Sequence, residues 1–198
     1  MKYLAIGTLR QWHWVSSALC LAGMLLFAVT GITLNHAGAI ESRPVVRSID
    51  AQLPDELMPL LNDMAEHVTL PPRLRSWLRT ELDVRFQPEQ AEWSDSELYL
   101  GLPRPGGDAW LTLDLRTGEL FYESTDRGWV AYANDLHKGR HTGTAWSWFI
   151  DLFAGVCVVF SVTGLVLLQR QAGSRPATWP VTGLGLLIPV LIALLLIH

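Results

Sequence analysis

Three long apolar runs decide what this chain can fold into. Val15 to Leu34 contains no charged residue, Ala145 to Leu168 contains only Asp151, and Val181 to Ile197 contains none. A helix needs about 20 apolar residues to cross a bilayer core, so the runs read as three membrane spans. Pro189, inside the third, is tolerated in a membrane helix, where neighbouring groups re-satisfy the freed backbone. The first run exceeds the apolar region of about 7–15 residues in a cleavable secretory signal. A retained helix is therefore expected, although Ala37-Gly38-Ala39 offers a small-residue cleavage pattern.

With 49% hydrophobic and 17% charged residues, the chain has too few charges for an ordinary soluble domain. Its net charge of −4, without a dense basic patch, argues against a nucleic-acid partner. Cys20 and Cys157 both fall inside apolar runs, so no disulfide framework staples the segment between the first two spans. They read as small apolar side chains.

Short flanks set the orientation. Lys2 and Arg10 precede the first span, and Arg170 and Arg175 follow the second. By the positive-inside rule both flanks are cytoplasmic. The N-terminus is then inside, the long middle segment outside, and His198 ends on the outer side; the expected location is a bacterial inner membrane with that segment in the periplasm. Trp12, Trp14, Trp146 and Trp148 stand where interfacial aromatic belts form.

The middle segment reads as a small α+β domain with an antiparallel sheet. Leu57, Leu60, Leu61 and Met64 recur at helical spacing within Asp55 to His67, and a second helix is expected over Pro71 to Thr80. From Leu82 the pattern turns to strand, through Val84 and Phe86, then Leu98 to Leu100. Trp110 to Tyr122 reads as a hairpin whose turn, Arg116-Thr117-Gly118, uses glycine for positive φ. The expected organisation is an N-terminal end and first span over 1–36, an outer domain over 37–144, a second span over 145–170, a cytoplasmic loop over 171–180 and a third span over 181–198.

An internal echo links the first two spans: Phe27-Ala28-Val29-Thr30-Gly31 and Phe160-Ser161-Val162-Thr163-Gly164. The spans run in opposite directions, so a true repeat would be inverted. Small residues are also ordinary at membrane helix contacts, and the pattern alone leaves both readings open.

Histidines are the candidates for chemistry. His67 reads as a surface residue, whereas His13, His36, His137, His141 and His198 gather at span boundaries. His13 and His36 bracket the first span, about 35 Å apart at the helical rise, and cannot share one ligand. His137 and His141, four positions apart, would share a face of a continuous helix. The outer boundary thus collects His36, His137, His141 and His198. Neutral imidazole is an axial ligand of haem iron, and Arg140, Lys138 or Arg43 would pair with propionates. A bare metal ion suits imidazole too, and tolerated interfacial histidines without a cofactor are the third reading. Asp151, about two turns into the second span, would orient a histidine, relay protons or stay solvated near the interface.

Several motifs together resemble the PepSY-associated transmembrane proteins. They are Gln11-Trp12-His13-Trp14, Thr30-Gly31-Ile32-Thr33-Leu34-Asn35-His36, Leu136-His137-Lys138-Gly139-Arg140 and Ser161-Val162-Thr163-Gly164-Leu165; the hairpin from Asp114 to Glu123 is similar to part of a PepSY unit. The resemblance covers most of the chain. Larger relatives resemble haem-containing inner-membrane reductases that pass electrons to ferric siderophores. It implies His13, His36 and His137 as family-type histidines, with His141 an additional candidate. The expected cofactor is haem b near the outer face, with His36 and His137 or His141 as the axial pair, since they come from adjacent antiparallel helices at one depth. The donor would be quinone or a redox protein, since no nucleotide-binding glycine motif is present. The acceptor would be a ferric complex or a periplasmic redox protein. This chain is shorter than those relatives, and its inner boundary offers His13 without a partner histidine near Gln169. A homodimer would supply the missing ligand, or only the outer haem exists. Two other functions remain open: a membrane-tethered PepSY binding or regulatory module without redox activity, and a metal-uptake subunit. The chain has neither HExxH nor GxSxG, so it is not read as a peptidase.

Overall fold

A computed structural model describes residues 7–41, 43–62, 70–83 and 91–197. Met64, His67, Val84, Phe86 and His198 lie outside these residues. Packing divides the chain into two compact units, residues 1–27 with 148–198, and residues 28–147.

Three helices are long and apolar enough to cross a membrane: α1 (Leu9–Asn35), α5 (Gly143–Gln171) and α6 (Thr178–Leu196). They begin two to six residues before the apolar runs, because helix geometry continues through the short flanks. Within the first unit, α1 and α5 run antiparallel: His13 meets Thr163 while Phe27 stacks on Phe153, centroids 5.2 Å apart. Their outward side chains, such as Leu25 and Leu152, are exposed in the isolated chain, as lipid-facing positions must be.

The second unit holds a five-stranded, wholly antiparallel sheet. Its strands are β1 (Val45–Gln52), β2 (Ala91–Trp93), β3 (Glu97–Gly101), β4 (Gly107–Asp114) and β5 (Glu119–Asp126), in the order β1-β5-β4-β3-β2. The expected hairpin is present as β4 and β5, and Gly118 in its turn has φ +73°. A side chain there would also meet Met58 Sδ at 2.5 Å. Strand β1 was not evident in the sequence; its half-polar residues, Arg47 to Gln52, hide the alternation. The helix expected over Asp55 to His67 is shorter where described, with a turn at Asp55 to Met58 and α2 at Pro59–Asn62. Leu82, expected to open a strand, instead ends α3 (Pro72–Leu82). Leu74, Leu78 and Leu82 recur every four residues, so all three are buried on one face, and Asp83 closes the helix in the left-handed conformation.

One face of the sheet meets this helical layer. Leu98, Leu100, Leu111, Leu113 and Leu120 from the strands pack against Leu53, Leu57, Leu61, Leu70, Leu74 and Leu78. Leu111, central and fully buried, is expected to cost about 2–5 kcal/mol when changed to Ala, measured as a fall in the thermal unfolding midpoint.

The hairpin turn carries its own lock. Asp114 Oδ1 accepts the N–H groups of Thr117 (2.9 Å) and Arg116 (2.8 Å). Those backbone bonds, Thr117's foremost, together with the Arg116 charge, hold the Asp114 carboxyl below its ordinary pKa. Its stabilising effect is therefore present above the unfolded-state value and is lost as pH falls through the lower folded-state value. Asp114→Asn is expected to flatten the acid limb of a plot of unfolding midpoint against pH.

Candidate functional site

Two histidines are seated on threonine hydroxyls, each in a copy of the repeated Val-Thr-Gly motif. In the first unit, His13 Nδ1 lies 3.0 Å from Thr163 Oγ1. Thr163 sends its hydroxyl proton back along its helix, to Val159 O at 2.7 Å or Phe160 O at 3.0 Å. Its oxygen is thus the acceptor and His13 Nδ1–H the donor, which in the neutral ring leaves the lone pair on Nε2. The imidazole also stacks on Phe160, with centroids 4.8 Å apart and planes 12° apart. Beside it, a Cβ on Gly164 would stand 3.2 Å from His13 Cε1, so the glycine makes room for the ring.

In the second unit, His137 Nδ1 lies 2.7 Å from Thr30 Oγ1. A Cβ on Gly31 would be 3.6 Å from His137 Cε1, an ordinary contact. Each Val-Thr-Gly thus receives one histidine from another helix through the same ring nitrogen. Small residues at a helix contact explain the glycines but not both His–Thr bonds, so the echo carries a shared structural role.

His137 belongs to α4 (Gly128–Lys138), a helix of the outer segment that the sequence pattern does not announce. Gly139 caps it at φ +66°, and His141 itself has φ +56°. His137 and His141 are therefore not on one continuous helix, and the expectation that they share a face is corrected. Glycine in the left-handed region stops α4 two residues before His141 is reached.

A short run of polar residues fixes α4 in place. Thr33 Oγ1 donates to buried Asn134 Oδ1 at 2.8 Å, one turn from the Thr30–His137 bond. Asp135, also buried, accepts the Gly106 N–H at 2.8 Å and meets Arg127 Nη2 at 3.3 Å. Gly106 has φ +71°, and a Cβ there would stand 2.7 Å from Tyr132 Cα; only glycine lets the β-turn approach α4 so closely. Trp146 Nε1 donates to Leu136 O at 2.9 Å, so this interfacial Trp closes the link between α4 and α5.

The chain belongs to the PepSY_TM-like family, whose pattern it matches over residues 4–198. No curated protein and no solved structure matches it.

The remaining candidates of this PepSY_TM-like chain fall as follows. His36 Nδ1 lies 3.0 Å from Ile32 O of its own helix. A carbonyl only accepts, so Nδ1 carries the proton and the neutral ring again offers Nε2. His141 is exposed and has no hydrogen-bond partner among the described residues. Arg140 Nε stands 4.0 Å from Asp135 and is half exposed. Asp151 faces an apolar groove of about 280 Å³ between α1 and α5, with Trp12, Ser16 and Gly155 beside it, and bonds no histidine among the described residues. No group of three or more His, Cys, Asp or Glu side chains suited to a bare metal ion occurs among the described residues. Thr30, Thr33, Thr163, Asn134 and Asp135 were not singled out from the sequence. The echo contained both histidine-holding threonines, but nothing in it named their partners.

Asp135→Ala leaves a buried Gly106 N–H unsatisfied and should cost about 1–3 kcal/mol in thermal unfolding. Arg140→Ala, losing a long and solvated contact, should leave the midpoint within error.

Proposed function

We propose that this chain is a haem-binding electron-transfer protein of the inner membrane, with His36 and His137 as the axial ligands of a haem b and His13 as a further ligand. What supports the reading is the way the family-type histidines are held. His13, His36 and His137 each make a hydrogen bond through Nδ1, to Thr163, Ile32 and Thr30 respectively. A ring held at Nδ1 is fixed in tautomer and orientation, as iron-ligating imidazoles are by their outer partners. For His13 and His36 the bond partners also assign the Nε2 lone pair.

The donor set fits haem better than a bare ion. A porphyrin supplies four of the iron's ligands, so one or two imidazoles suffice, whereas an ion held by protein alone needs a cluster. Both His36 and His137 lie toward the same end of α1, His137 through its bond to Thr30. Bound haem would supply one-electron chemistry. The chain's part is to hold the two imidazoles through Nδ1, with Nε2 of His36 unprotonated, and to offer Lys138 and Arg140 as cations beside His137 in sequence for propionates. Arg43, another candidate cation, is exposed and 3.7 Å from Glu41. His13 has no second histidine beside it among the described residues of its unit, so a second copy of the chain is the natural source of a sixth ligand there. By the family resemblance, electrons would come from quinone or a redox protein and pass to a ferric complex or redox partner in the periplasm.

The test is haem content of single variants purified from haem-replete cells. His36→Ala and His137→Ala are each expected to lose the outer haem, and Thr30→Val to weaken it about 10–100-fold. His141→Ala should keep it. Full haem content in both the His36 and His137 variants would reject the assignment. A haem-free wild type would leave the tethered binding module as the better reading.

A further inference from the structure

The face of the sheet turned away from the leucine core is acidic, and it carries a row of aromatic rings. Directly paired residues place Asp50, Phe121, Thr112, Tyr99 and Glu92 in one line across all five strands. Trp110 stands beside that line, its ring 5.0 Å from Phe121 and 6.5 Å from Tyr99. Around the rings the same face presents Glu97, Asp108, Asp114, Glu119 and Glu123, as strand alternation requires. No Lys or Arg occupies that face of the strands.

The like charge on this face is only partly matched by contacts among the described residues. Glu97 is the direct cross-strand partner of Asp114, and like charges placed opposite each other destabilise a sheet. None of these carboxylates is in a salt bridge among the described residues. Asp114 is held by the turn's N–H groups and lies near Arg116. Glu123 Oε1 accepts Trp110 Nε1–H at 3.3 Å. Asp50, Glu97 and Glu119 have no such partner among the described residues, and with Asp114, Thr112 and Phe121 they line a depression of about 680 Å³. Tyr99 is 39% exposed at the edge of the aromatic row.

We infer that this face docks an arginine-rich segment of a partner protein. Carboxylates accept guanidinium groups in paired, directional bonds, and aromatic faces attract the same cation when it stacks over them. A surface with both elements, and no cation of its own, is complementary to arginine more than to lysine, whose ammonium neither forks nor stacks as a plane. This inference does not depend on the haem reading.

Fluorescein-labelled nona-arginine is the probe, titrated by anisotropy against the full chain in neutral detergent. Binding is expected, weakening as salt is raised, with nona-lysine binding several-fold more weakly. Tyr99→Ala, at an exposed position that the leucine core does not need, should weaken nona-arginine binding about tenfold. The triple variant Asp50→Asn, Glu97→Gln, Glu119→Gln should weaken it further, while Glu81→Gln on α3 should not. Absence of binding would overturn the inference. So would equal binding by wild type and the triple variant, or binding that follows charge alone with Tyr99→Ala unaffected. Concentration-dependent self-association abolished by the triple variant would assign the face to a second copy and likewise overturn it.

Discussion

The hydrogen bonds from α1 to α4, Thr30 with His137 and Thr33 with Asn134, are the constraint on which the second unit's arrangement rests. Threonines three positions apart on one helix meet Asn and His three positions apart on another. Residues so spaced share a helix face, so two bonds fix both the rotation and the register of α4. Its next residue, Asp135, ties the same helix to the Gly106 turn of the sheet. Within the second unit, one helical segment, Asn134-Asp135-Leu136-His137, thereby joins the Thr30–Thr33 turn to a leucine-packed sheet through polar contacts. Where apolar surface surrounds such groups, an unmatched polar atom is costly, and this makes the pairing specific.

The repeated Val-Thr-Gly gives the same solution twice. Threonine bonds back to its own helix and turns its oxygen toward the incoming imidazole, as Thr163 does for His13. At Gly164, the next residue, the missing side chain also leaves space at the His13 ring edge. A single helix face can therefore hold a histidine from a neighbour without any charged partner, which suits a low-dielectric setting. Asp151, the carboxylate within a span, is not recruited for this by any histidine among the described residues.

Much of this was legible in the sequence, because apolar run length and strand alternation report directly on burial. The three spans, the β4–β5 hairpin and the strand around Leu98 to Leu100 were all visible that way. Strand β1 was not, because an edge strand with Arg47, Ser48 and Asp50 carries little apolar alternation. Leu82 was misassigned because a leucine at the end of one helix face is the same letter as one opening a strand. His137 and His141 looked like one helical face until Gly139 ended α4 between them. The histidines at issue were evident from their positions, but their threonine partners lie 107 and 150 residues away in the chain. Contacts that distant leave no periodic signal.

The central claim is that the anchored histidines serve iron. The most direct measurement is the absorption difference spectrum, dithionite-reduced minus oxidised, of the wild-type chain purified in detergent from haem-replete cells. The account predicts the sharp, split bands of low-spin haem b with two imidazole ligands. A featureless difference spectrum would contradict it, and the His–Thr pairs would then stand as helix-locking contacts alone.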